Sequence, residues 1–139
     1  MRSPTLELTD DAYCFVCGQD NPQGLKLKWT TDHQQTKTVF TPTKHHQGWK
    51  NIVHGGILAT VLDEAMTRLA WQMFGGAVTA EMTIRYLKPA VVGEKLTVKA
   101  TIDNPANRLL RASAELRNAK DQLVAAAEGK ILKTNISNV

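Results

Sequence analysis

One segment with helical spacing stands alone in a chain whose C-terminal half otherwise alternates, and that contrast most constrains the fold. From about Gly55 to Phe74, Leu58, Val61, Leu62, Ala65, Leu69 and Met73 share one broad apolar face. Beside it runs a stripe of small residues, Gly56, Ala59, Thr60, Thr67 and Ala70, with Asp63 in its middle. Glu64 and Arg68 fall on a third, outer face in acid-before-base i,i+4 order, which predicts a solvated pair. Gly75-Gly76 ends the helix. Beyond it the pattern has period two. Ala80, Met82, Ile84 and Tyr86 alternate with Glu81, Thr83 and Arg85, and the same holds from Leu96 to Ile102 and from Leu110 to Arg117. Turns are expected at Lys88 to Glu94, Asp103 to Asn107 and Asn118 to Asp121, and a last strand from Leu123 to Lys133 with a bulge near Gly129.

Clean alternation means an antiparallel sheet with one dry face. The helix is the one candidate to cover it, and twenty residues extend about 30 Å, enough to lie across several strands. The expected fold is α+β, a curled antiparallel sheet wrapped round one long helix. Such a sheet covers part of the helix, so the small-residue stripe is expected to be buried by another copy, making the protein a homo-oligomer, a dimer or a dimer of dimers. Before the helix, Leu25 to Thr41 reads as one or two strands with a polar turn at Thr31 to Gln35, and Thr43 to Val53 as a loop.

At 139 residues, 42% hydrophobic and 22% charged, the chain suits one globular domain. We divide it into an N-terminal extension, 1–24, and a domain over 25–139. The longest stretches without Asp, Glu, Lys or Arg are twelve residues, Asn51 to Leu62 and Leu69 to Ala80. A membrane-spanning helix needs roughly 20 apolar residues, so membrane partners are not expected. No apolar h-region follows the first residues, and a cytoplasmic address is the expectation. The net charge of +4 is spread along the chain without a Lys/Arg run, which argues against nucleic acid and suits a small polyanionic ligand.

Most common catalytic signatures are missing. None of the three serines has a neighbouring glycine, and no His-Glu-x-x-His, Gly-x-Gly-x-x-Gly or phosphate loop occurs. What remains is His54-Gly55-Gly56 at the helix start, with Asp63 nine residues after His54. First-turn N–H groups lack intrahelical partners and sit at the positive end of the dipole, where an oxyanion is stabilised. The plainer reading of the glycines is a tight turn into the helix; that of Asp63 is a surface acid paired with Lys or Arg. From Gly55 to Asp63 the rise is about 12 Å, so one helix cannot bring both to one carbonyl. Two antiparallel copies packed on the small stripe would, giving two equivalent sites per dimer.

The run Val53-His54-Gly55-Gly56-Ile57-Leu58-Ala59-Thr60-Val61-Leu62-Asp63-Glu64-Ala65-Met66 resembles the signature of hot-dog-fold acyl-CoA thioesterases, in the branch that includes the phenylacetate-pathway enzymes. Thr83-Ile84-Arg85-Tyr86-Leu87-Lys88-Pro89, with Gly93-Glu94, is similar to the strand and turn that follow in that family. The resemblance covers roughly Trp49 to Lys133 and implies hydrolysis of an acyl-CoA without a cofactor. It implies that the Gly55 N–H polarises the thioester carbonyl and that Asp63 from the partner subunit acts as nucleophile or general base. Thr79 stands where a polar residue assists in some members, although its parity matches the wet face. His54 would orient the loop or help the leaving group, and Gly56 and Asn51 would contact substrate. Many members carry an amide six residues before the motif histidine, where this chain has Gly48. A related branch uses a glutamate, but Glu64 points about 100° away from Asp63 on the helix and has Arg68 as a partner.

Cys14-Phe15-Val16-Cys17-Gly18, with Asn21-Pro22 and Gly24-Leu25, resembles an N-terminal extension of a subset of these proteins. A Cys-x-x-Cys pair is half a tetrahedral zinc site, which His45 or His46 could complete; the alternative is a buried thiol knuckle packed with Phe15 and Val16. With two ligands unidentified, a metal-free protein is expected. The alternative function is a non-catalytic acyl-CoA-binding module on the same fold, with the missing amide at Gly48 as its support. A hot-dog hydratase ranks third, because the glycine pair and Asp63 suit carbonyl attack better.

Overall fold

The computed structural model describes residues 8–134, so the first seven residues of the 1–24 extension, the last five of the 25–139 domain, and with them Ser3 and Ser137, lie outside the described residues. Helix α1 spans Gly55–Phe74, between a His54 N-cap and Gly75 in the left-handed region at φ 81°. Strands β1 (Thr30–Asp32) and β2 (Gln35–Phe40) precede it, and β3 (Ala77–Tyr86), β4 (Leu96–Ile102), β5 (Leu109–Arg117) and β6 (Leu123–Lys133) follow. They form one antiparallel sheet in the order β1-β2-β4-β5-β6-β3. No helix among the described residues is long and apolar enough to cross a membrane.

The helix packs against the inner face of β2 to β6. Leu58, Val61, Leu62, Ala65, Met66, Leu69 and Ala70 are buried there, each large side chain contributing roughly 1.5–3 kcal/mol on leaving water. The sheet meets them with Leu96, Val98, Ala100 and Ile102 of β4 and Leu110, Ala112, Ala114 and Leu116 of β5. Cross-strand partners at the sheet centre are small, Ala112 against Gly129 and Ala114 against Ala127, so the helix approaches closely. A Cβ at Gly129 would lie 3.0 Å from Met66 Sδ. Gly129 therefore makes room for the helix in a regular register with Met82 and Ala112, and is not the bulge the sequence suggested.

The bulges lie elsewhere. In β3 the register steps from Thr79 opposite Ile131 to Glu81 opposite Lys130, leaving Ala80 as the extra residue. In β6 Val124 is the extra residue where β5 passes from Leu116 to Arg117. Two further expectations are corrected. Leu25 to Trp29 is not a strand, because Lys26 sits at φ 55° and breaks the extended run; β1 begins at Thr30, and the turn shortens to His33-Gln34, with His33 at φ 52°. Ala70, assigned to the stripe awaiting another copy, is fully buried within its own chain. The rest of that stripe is open or half-buried.

The N-terminal segment folds onto this framework. Leu25 N–H donates to the Phe15 carbonyl (2.8 Å) and Leu27 N–H to the Val16 carbonyl (2.9 Å), which delivers Val16 and Leu27 into the core.

Candidate active site

The loop before the helix is held by backbone bonds: Gly48 N–H to the Ile52 carbonyl (2.9 Å), Val53 N–H to that of Ala90 (2.9 Å) and His54 N–H to that of His46 (2.8 Å). His54 then folds its ring back, and its Nδ1 accepts the Gly56 N–H at 2.9 Å. An accepting Nδ1 places the ring proton of neutral His54 on Nε2. A Cβ on residue 56 would lie 3.0 Å from that Nδ1, so any larger residue would push the ring aside and disturb the cap. The capped N–H makes Gly56 a structural element of the site through its backbone. One residue earlier, the Gly55 N–H is paired with no acceptor among the described residues. Tyr86, which the sequence reading left in the strand pattern, donates its hydroxyl to the Gly55 carbonyl at 2.9 Å. Gly48, Trp49, Val53, His54 and Gly55 line an open cleft here, with Trp49 85% exposed at its rim.

Asp63 lies two turns along the helix, half-buried. Thr79 Oγ1 donates to its Oδ1 at 2.5 Å, and Thr67 Oγ1 is 2.9 Å from both the Asp63 carbonyl and Thr79 Oγ1. The Ala80 bulge reverses the strand's parity at this point, so Thr79 faces the helix and not the wet side where simple alternation placed it. Among the described residues no Lys, Arg or His forms a salt bridge with Asp63, and no hydrogen bond engages its Oδ2. The carboxylate is anchored by one oxygen, with the other free.

Glu64 differs from the solvated acid expected beside Asp63. Its side chain is 19% exposed and Arg68 Nη1 stands off at 4.0 Å. The N-terminal segment covers it, placing Cys14 Sγ 3.7 and 3.8 Å from its two carboxylate oxygens. Burial, then the Glu64 carboxylate and Cys14, pushes the Cys17 thiol well above its ordinary range. Cys14, Cys17 and Glu64 thus bring three donor atoms together within 4.8 Å. Neither histidine named as a possible partner belongs to this group. His46 Nδ1 accepts the Thr43 N–H at 2.9 Å and its ring lies against Phe40, with burial, then neighbouring His45, holding its pKa below the ordinary histidine value.

Asn51 is an exposed turn residue at φ 64°, its N–H donating to Gln47 Oε1 (3.2 Å) and its carbonyl accepting from Val92 (3.0 Å). Gln47, one residue before the glycine that replaces the family amide, is an amide side chain the sequence reading passed over. At Gly48 itself a Cβ would come within 3.3 Å of His54 Cα.

A single helix held in a six-stranded antiparallel sheet, with a glycine pair at its start and a free carboxylate two turns later, defines the hot-dog class. This chain belongs to the thioesterase superfamily, whose sequence profile matches residues 50–125. A protein of Archaeoglobus fulgidus whose name proposes an esterase is 34% identical over 100 residues, covering 71% of this chain and 64% of that protein. Bovine (Bos taurus) acyl-coenzyme A thioesterase THEM4 is 28% identical over 131 residues, covering 91% of this chain and 54% of the relative. The chain therefore spans about half to two-thirds of the length of these relatives. Among solved structures, the E. coli PaaI protein from the phenylacetic acid degradation operon superposes with TM-score 0.74 at 24% identity, covering 78% of this chain and 84% of that one. A Streptococcus mutans UA159 protein bound to acetyl CoA superposes with TM-score 0.74 at 18% identity, covering 79% and 90%. Likeness at these identities establishes the shared fold.

Proposed function

We propose that this protein hydrolyses an acyl-CoA thioester to the free acid and CoA, in sites shared between two copies of the chain. The observation that carries this reading is the state of Asp63: half-buried, held through Oδ1 by Thr79 and, among the described residues, without a cationic partner and with Oδ2 free. A surface acid with a structural role would be paired with a base or fully hydrated. Asp63 instead lies among Gly56, Ala59, Thr60 and Thr67, the small residues that let a second helix approach.

In an antiparallel helix pair, Asp63 of one protomer faces Gly55 of its partner, closing the gap of about 12 Å along one helix. The β3 edge supports pairing as well: β3 is ten residues long and terminates the sheet, an exposed edge that natural proteins cover. In such a site the Gly55 N–H donates to the thioester carbonyl and stabilises the oxyanion. As general base, Asp63 Oδ2 takes a proton from water while the water oxygen bonds to the carbonyl carbon; the C–S bond then breaks and the sulfur leaves with that proton. As nucleophile, the same oxygen bonds to the carbonyl carbon, the C–S bond breaks and CoA leaves as its thiolate, giving an acyl-aspartyl anhydride; water then cleaves the anhydride to the free acid and the Asp63 carboxylate, its other proton going to the thiolate. His54 fixes the loop by capping the helix and Tyr86 holds the Gly55 carbonyl, so both position the N–H that points at substrate. Two free thiols suit a reducing, cytoplasmic setting.

A second reading, an acyl-CoA binder without turnover, draws on Gly48, since the family's amide is replaced there by a residue packed against His54. The deciding experiment is a panel of aromatic, short-chain and long-chain acyl-CoAs with detection of the released thiol. Hydrolysis of one class supports the thioesterase; binding of several with cleavage of none selects the binder.

A further inference from the structure

We propose that Cys14, Cys17 and Glu64 bind a divalent cation of the zinc class, which fastens the N-terminal segment to helix α1. The three donor atoms all lie within 4.8 Å of one another on half-buried side chains. Zn–S bonds of about 2.3 Å and Zn–O bonds of about 2.1 Å at tetrahedral angles put sulfur and oxygen about 3.6 Å apart. The Cys14 Sγ to Glu64 separations of 3.7 and 3.8 Å already match that spacing.

The turn carrying the two cysteines is built to aim them together. Gly18 N–H donates to the Cys14 carbonyl at 2.8 Å, and Cys17 N–H donates to Cys14 Sγ at 3.5 Å, which closes the turn around the first sulfur. A Cβ on residue 18 would lie 2.4 Å from the Cys14 nitrogen, so the turn demands glycine.

Electrostatics points the same way. Three groups that ionise to anions face one another, and seating a cation between them means giving up the thiol protons. A divalent ion displaces those protons onto solvent. Two thiolates, a carboxylate and a dication carry one net negative charge, and Arg68, 4.0 Å from Glu64, offsets it. Thiolate ligands select zinc-class ions over magnesium or calcium. A redox disulfide fits less well, because disulfide chemistry gives no role to Glu64, which lies against Cys14 Sγ. A cavity of ≈ 630 Å³ lined by Cys14, Cys17, Glu64 and Thr67 among others leaves room for water as fourth ligand. The sequence expectation of a metal-free protein rested on missing ligands; the third is an acid on the helix next to Asp63.

The test uses the full chain without a metal-binding tag, stripped with chelator under reducing conditions and titrated with Co(II). One equivalent should give a thiolate-to-cobalt charge-transfer band and the visible absorption of a tetrahedral site, both displaced by one equivalent of Zn(II). Cys14→Ser and Cys17→Ser should abolish the band, Glu64→Gln should weaken binding by about tenfold or more, and His45→Ala with His46→Ala should leave it unchanged. Independently of whether the variants fold, Zn(II) should slow alkylation of both cysteines in the wild-type protein by about tenfold or more. No charge-transfer band at micromolar protein, a band that survives loss of both cysteines, or alkylation indifferent to zinc would each overturn the proposal.

Discussion

Thr79 Oγ1 donates a 2.5 Å hydrogen bond to Asp63 Oδ1 across the gap between β3 and α1, and it reaches that position because Ala80 is bulged out of the β3–β6 register. Without the extra residue, Thr79 would share the outward face of Glu81 and Thr83. The bulge is thus the local device that turns a strand hydroxyl onto a helix carboxylate, fixing one oxygen and leaving the other free.

Removing that hydroxyl tests the device. Thr79→Val keeps the shape and leaves Asp63 Oδ1 with Thr67 alone, at 3.5 Å. Turnover should fall by about tenfold or more as the carboxylate loses its orientation, while Thr79→Ser retains most of it. Steady-state kinetics with any cleaved acyl-CoA reads the difference; equal rates for Thr79→Val and wild type would remove Thr79 from the site.

The shared site predicts that assembly and activity fail together. Ala59→Arg puts a long cation into the small-residue stripe, where a partner helix has no room for it. Light scattering should report a monomer and thiol release should collapse, while circular dichroism stays that of a folded chain. An active monomer would contradict the shared site.

His46 predicts a pH dependence of stability. Burial, with His45 beside it, lowers its pKa in the folded chain below the ordinary value of 6.5. The neutral ring is therefore favoured by folding, and its Nδ1 accepts the Thr43 N–H. Above pH 6.5 both states are neutral and the group has no effect on stability. As pH falls below that value the unfolded chain protonates first, so stability declines until the folded-state pKa is passed. Urea unfolding between pH 7 and 5 should show the decline, and His46→Gln should flatten it; parallel curves would assign the pH dependence to other groups.

Elements defined by neighbouring residues were legible before the structure. The glycine pair Gly55-Gly56, the Gly75 stop and the apolar positions between them delimit α1, and strict alternation delimits β4 and β5, because those signals depend on local conformation and one buried face; that His54 caps the helix with its ring was not among them. Contacts joining distant segments were not. Glu64 and Arg68 have the spacing of an exposed pair, and nothing nearby in sequence indicates that Cys14, fifty residues away, covers the acid. The Ala80 bulge was equally hidden, since either register preserves an acceptable alternation and pairing with β6 decides between them. Leu25 to Trp29 alternates like a strand, yet Lys26 turns the chain so that Leu27 reaches the core.

Asp63→Asn tests the central claim most directly, measured as thiol release and as equilibrium binding of the same acyl-CoA. The substitution preserves volume and removes the basic oxygen, so turnover should fall by about 100-fold or more. Binding should persist, since the Gly55 N–H is unaltered. Glu64→Gln, on the carboxylate turned toward the cysteines, should cost far less. Full turnover in Asp63→Asn, or a larger loss in Glu64→Gln than in Asp63→Asn, would contradict the assignment of Asp63 as the residue that attacks or activates water.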